Sequence, residues 1–170
     1  MKLLTPHSRR MALALLLAIP ALTIHAAPAA PTNLPANLPT VVREDVSPHD
    51  FPTTVNRLKA QLAKDGWNLL TEIDLGARIA KKGVHLPGGL VILELTSGGS
   101  TIPLLKNEAT RYVAGLMPCS VSIYARDDGQ VVVSRLNAGL LAGQMEPRVA
   151  EVLGNSMSKL DASIAAAVAR

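Results

Sequence analysis

The sequence predicts an α+β (α/β) domain in which a mixed sheet of about five strands carries packed helices. Three observations predict it: strand and helix patterns alternate along much of the chain, an Asp-Asp-Gly turn joins two alternating strands, and an amphipathic helix closes the sequence. Of the 170 residues, 48% are hydrophobic, 18% are charged and one is cysteine. That balance excludes disulfide scaffolds, collagen-like chains and wholly disordered proteins. Phe51, Trp67, Tyr112 and Tyr124 are the whole aromatic set, so the core must be aliphatic, and stacking platforms for bases or sugars are not expected.

The chain opens with Lys2, Arg9 and Arg10 ahead of the apolar run Met11–Ile24 and the small residues Ala26 and Ala27. This is the order of a cleaved export signal, expected over residues 1–26, and it places the protein in the periplasm or outside the cell. The run is shorter than the roughly 20 apolar residues that span a bilayer, so no stable membrane span is expected after cleavage. The arginine pair leaves general and twin-arginine export both open. Residues 27–40, with prolines at 28, 31, 35 and 39 and no charge, read as an extended tether. Residues 41–170 then form the single domain. The formal charge is +4, but it falls to +1 when the three cations of the signal leave, and with it goes the footprint expected of a nucleic-acid binder.

Within the domain, Val41–Val46 reads as a first strand. Phe51, Val55, Leu58 and Leu62 recur at helical spacing, with Ser47 as a cap and Pro52 as an interruption near the start. Asp65-Gly66 stops that helix, and Trp67–Ile73 returns as a strand. Asp74 sits where it would cap a short helix, Leu75–Lys82, closed by Gly83. Leu90–Leu95 is a nearly unbroken apolar strand of the kind covered on both faces. A turn at Thr96–Ser100 leads to helical segments near Pro103–Lys106 and Ala109–Leu116. Ser120–Tyr124 and Gln130–Ser134 alternate around Asp127-Asp128-Gly129, a hairpin signature. The last helix runs from Pro147, with Val149, Val152, Leu153, Met157 and Leu160 on one side.

Ser47-Pro48-His49, Thr54-Val55-Asn56-Arg57-Leu58, Ile73-Asp74, Ala77-Arg78, Gly99-Ser100-Thr101-Ile102-Pro103-Leu104 and Leu116-Met117-Pro118-Cys119-Ser120-Val121 occur in that order before the hairpin. Over about Ser47 to Leu140 the chain resembles the domain-of-unknown-function 302 family. The resemblance implies a compact α/β sheet domain that tends to self-associate, so a homo-oligomer is expected. It brings no accepted reaction and no catalytic residues. Two positions depart from the family: Leu75 stands where histidine is frequent, and Ser97-Gly98 where Asn-Pro is frequent.

Cys119 is the sole thiol. It reads either as a small buried hydrophobe or as a thiolate ligand to haem or a soft metal with Met117 as a neighbouring soft donor; an intermolecular disulfide and redox chemistry are further readings. Arg111 and Tyr112 precede that segment and are candidates to line a pocket beside it. Gly98, Gly99, Ser100 and Thr101 form a candidate anion loop, though they lack the lysine and glycine spacing of nucleotide loops. His49 and His85 have no second ligand at helical spacing and read as capping or surface residues. Asp74 and Arg78 read as an N-cap and an i,i+4 ion pair. Hydrolase, thioredoxin-like and zinc-protease motifs are missing, so no reaction is supported, although catalytic groups need be adjacent only in space.

The expectation is therefore an exported ligand- or cofactor-binding module, with haem or a soft metal near Cys119. Two alternatives stand beside it. One is a thiol-dependent redox protein, which needs an accessible, low-pKa Cys119. The other is a non-catalytic structural or assembly protein whose final helix, with Ala165, Ala166 and Ala167, packs between subunits.

Overall fold

The computed structural model describes residues 41–170, and the signal and tether read from the sequence lie outside the described residues. Strands β1 (Val42–Ser47), β2 (Asn68–Asp74), β3 (Leu90–Thr96), β4 (Cys119–Ala125) and β5 (Val131–Leu136) form one sheet in the order β1-β5-β4-β3-β2. Every pairing in it is antiparallel. The α+β class and the five strands agree with the sequence, but the expected mixed sheet is corrected to a fully antiparallel one. Asp74 at the end of β2 pairs with Val91 near the start of β3, so helix α2 (Leu75–Ala80) and the loop after it turn the chain back beside the strand it has just left.

Helix α1 (Phe51–Lys64) is capped three residues later than predicted. Asp50, not Ser47, is the N-cap, and its Oδ1 accepts a 2.8 Å hydrogen bond from the Thr53 N–H. Pro52 does not interrupt the helix, because in the first turn its missing N–H has no partner to lose. Ser47 is instead buried, 2.7 Å from the Thr54 hydroxyl. Asp74 does cap α2, accepting from the Ala77 N–H at 2.7 Å. Helix α3 (Gly98–Lys106) takes in Gly98 and Gly99, so the turn expected there is its first turn. A 3-10 helix (Glu108–Leu116), the short α4 (Gly139–Ala142) and the long α5 (Pro147–Ala167) complete the fold.

Val55, Leu58 and Leu62 of α1 and Leu160, Ile164 and Ala167 of α5 close over one face of the sheet, where they meet Val91, Leu93 and Leu95, Val121, Ile123, Val131 and Val133. Along β3 the burial alternates, with Leu90, Ile92 and Glu94 only half-buried. The expectation that this strand is covered on both faces is thereby corrected: its apolar run serves one sealed face and one open one. Val42, Val46 and Leu136 are exposed on that open side. A second, smaller core gathers Leu104, Val113 and Val149 beneath α3, the 3-10 helix and the start of α5. No helix among the described residues is long and apolar enough to cross a membrane.

Candidate functional site

Strands β4 and β5 pair only from Ala125–Val131 to Val121–Arg135. Beyond that, Cys119 and Ser120 pair with Leu95 and Glu94 on β3, while Leu136 pairs with Val42 on β1. Two interior strands thus part at one end of the sheet. A cavity of about 400 Å³ opens at the split. Leu116 and Met117, Leu141 of α4, and Leu153, Met157 and Leu160 of α5 give it an apolar wall. Cys119, Ser120 and Ser122 from β4 and Ser134 and Arg135 from β5 give it a polar one. The Met117–Pro118 peptide that leads into β4 is cis.

A recess of about 20 Å³ adjoins this cavity and shares Leu116, Met117, Cys119 and Leu153 with it. Its remaining lining includes Trp67, Ser97, Ser100, Thr101 and Ser156. Trp67 is 5% exposed, and its indole Nε1 is the one buried side-chain polar atom among the described residues that has no hydrogen-bond partner.

Cys119 is half-buried and borders both spaces. Burial pushes its thiol above the ordinary cysteine value, and the negative charge of Glu94 on the neighbouring strand adds to the rise. The thiol is therefore protonated at neutral pH, opposite to the low-pKa thiol that the redox reading needs. Arg135 is a buried cation on β5. It donates to Asp45 of β1 and, from Nε at 2.5 Å, to Asp161 of α5, while Arg43 also pairs with Asp161. Two arginines face two aspartates, so the charges of the cluster balance.

Of the residues singled out from the sequence, Cys119 and Met117 lie together in both walls, and Ser100 and Thr101 join them at the recess. The others lie elsewhere. Gly98 and Gly99 belong to α3 and line neither space. Arg111 does not reach the cavity: its Nε donates to the Leu105 carbonyl at 3.1 Å near the end of α3, and Tyr112 is exposed. His49 caps α5, with Nε2 3.1 Å from the Ala169 carbonyl, and Arg57 donates to the Ala167 and Ala169 carbonyls beside it. His85 is an exposed loop residue. Asp74 spends its carboxylate on the α2 cap, and no Asp74–Arg78 ion pair forms among the described residues. Ala167 packs into the protein's own core, whereas Ala165 and Ala166 are exposed.

The sequence reading missed Arg135 and Trp67. The signal for Arg135 was there, since it continues the inward series Val131, Val133 at period two and so places a charge on the sealed face. No sequence signal marks the missing partner of Trp67, which depends on what surrounds the ring.

Among the described residues, no group of three or more histidine, cysteine, aspartate or glutamate side chains is placed to hold a metal ion. The soft donors that line the cavity are the Cys119, Met117 and Met157 sulfurs.

A one-sided antiparallel sheet with a cavity at the parting of two interior strands defines a small α+β domain, and the comparisons give its family. The chain belongs to the family of the domain of unknown function DUF302, whose model matches residues 43–168. It is similar in fold to the crystal structure of an uncharacterized conserved protein DUF302 from Bacillus stearothermophilus, with a TM-score of 0.68 and 19% sequence identity over 76% of this chain and 99% of that one. No functionally curated protein matches the chain.

Proposed function

We propose that this protein is an exported binding module whose cavity at the β4–β5 split takes a compact, mostly apolar ligand. The observation that carries the reading is the cavity itself. At about 400 Å³ it falls within the roughly 300–1,000 Å³ range of small-molecule sites, and it has the apolar wall with a few convergent polar groups that such sites use. Export to the periplasm or beyond rests on the sequence of residues 1–26. Self-association as a homo-oligomer is part of the proposal and is read by sedimentation of the purified protein.

The test is native mass spectrometry of the freshly purified protein, beside a variant in which Leu153→Trp fills the cavity. A small molecule that copurifies with the native chain and is lost from the variant supports the reading. If neither the native ligand nor an apolar probe binds, only an exported scaffold is left.

A second reading has its own support: Cys119 and Met117 line the same two spaces, so a soft metal such as Cu(I), or haem, has two sulfur donors on the lining it would enter. Binding there requires the metal to displace the thiol proton that burial retains. A Cu(I) or haem absorbance band that survives unchanged in Cys119→Ser rules the sulfur out as a ligand.

A further inference from the structure

The binding reading leaves the chemistry of the ligand unassigned, and the two donors that the sequence reading missed supply it. Arg135 is 6% exposed and lines the cavity. A guanidinium only donates hydrogen bonds. Its Nη1 and Nε are engaged by Asp45 and Asp161, and neither ion pair uses Nη2. Trp67 lines the adjoining recess, and its N–H also only donates. A buried donor without an acceptor costs about 1–3 kcal/mol, so the folded chain gains when something supplies one. The recess has room for about one oxygen atom or water, since a cavity needs roughly 10–15 Å³ to take a water. Met117, one of the four residues that line both spaces, is unbranched and adaptable.

We infer that the ligand is an apolar molecule bearing an acceptor oxygen, a carbonyl or a carboxylate, which the donor-only N–H of Trp67 recognises at the recess, while Arg135 lines the cavity as a cation held by Asp45 and Asp161. This inference rests on the binding reading above. It adds selectivity at the recess, where a purely donating head meets an indole N–H that accepts nothing, and a cationic head meets the Arg135 cation in the cavity beside it. The charges of Arg43, Arg135, Asp45 and Asp161 balance one another, and Glu94, bonded to Ser120, is the negative charge that a carboxylate meets near Cys119.

The experiment titrates the purified full-length protein with octanoate, 2-octanone and octylamine, three probes with similar apolar bodies and different heads. Affinity is read by calorimetry, and occupancy of the recess by the emission of Trp67, the only tryptophan in the chain. Octanoate or 2-octanone is expected to bind about tenfold or more tighter than octylamine. The arm that binds tighter distinguishes carboxylate from ketone. Equal or tighter binding of octylamine overturns the inference and leaves the cavity reading standing, whereas failure of all three overturns both. Trp67→Phe removes the N–H, keeps an aromatic ring and leaves no donor stranded. It is expected to stay cooperatively folded, with the smaller ring lowering the melting temperature, and to lose about tenfold in affinity for the acceptor probe. Unchanged affinity in that variant overturns the assignment of the recess.

Discussion

Leu58 is fully buried between α1 and the sheet and makes part of the larger core. Its truncation to alanine is expected to cost about 2–5 kcal/mol, read as a shift of the urea midpoint, because the aliphatic side chains around it cannot all collapse into the gap. Cys119 gives a chemical prediction. Its raised pKa means that a disulfide probe at pH 8 should modify the native protein more slowly than the urea-unfolded protein, and a faster native reaction would revive the redox reading. The sign of the linked stability follows. Where the pH passes the unfolded thiol value, the unfolded state loses its proton while the folded state keeps it, so stability falls as pH rises from there towards the folded value. Arg135→Met strands Asp45 and leaves Asp161 with Arg43 alone. Breaking a buried pair costs about 3–5 kcal/mol, but both aspartates reach solvent, so the loss is expected near or below the lower end of that range.

Between elements, two carboxylates act as pH-dependent ties. The Ser163 hydroxyl of α5 donates to Asp65, just past α1, at 2.6 Å, and the Gln61 amide adds a second bond. These bonds, that of Ser163 first, hold the Asp65 carboxyl below its ordinary value. On the other face of the sheet the Tyr124 hydroxyl, and after it Arg126, do the same for Glu44, joining β4 to the edge strand β1. Both folded pKa values are depressed. The stabilisation is therefore present above the unfolded values of about 3.9 and 4.3 and is lost as pH falls through the lower folded values. Ser163→Ala and Tyr124→Phe should each move the midpoint of acid unfolding, followed by circular dichroism, to higher pH. Tyr124→Phe should leave the neutral-pH fold intact, because the tyrosine hydroxyl lies on the open face.

For the molecule as a whole, α5 is indispensable to the fold. Ending the chain at Ser156 removes Leu160, Ile164 and Ala167 from the core, and Asp161 from beside Arg135. The truncated chain is expected to lose cooperative thermal unfolding. Native-like melting of that chain would show that the sheet and α1 hold together without their second cover.

What the sequence determined by itself was local. The β4–β5 hairpin was legible because alternation and an Asp-Gly turn lie within a dozen or so neighbouring residues, and Gly129 has the positive φ of 83° that such a turn demands. The cap of α2 was legible to the residue and that of α1 only to within three, since each depends on one side chain and the next turn of backbone. Cys119 and Met117 were found by their chemistry, and they do border the cavity. Tertiary structure decided the rest. Antiparallel order throughout the sheet, the parting of β4 from β5 and the cavity between them depend on Leu116, Leu141, Leu153 and Arg135, residues from separate elements that meet only when the helices close on the sheet. Periodicity records which way a side chain faces, but not which distant side chain it will face, and a cavity is made of such meetings.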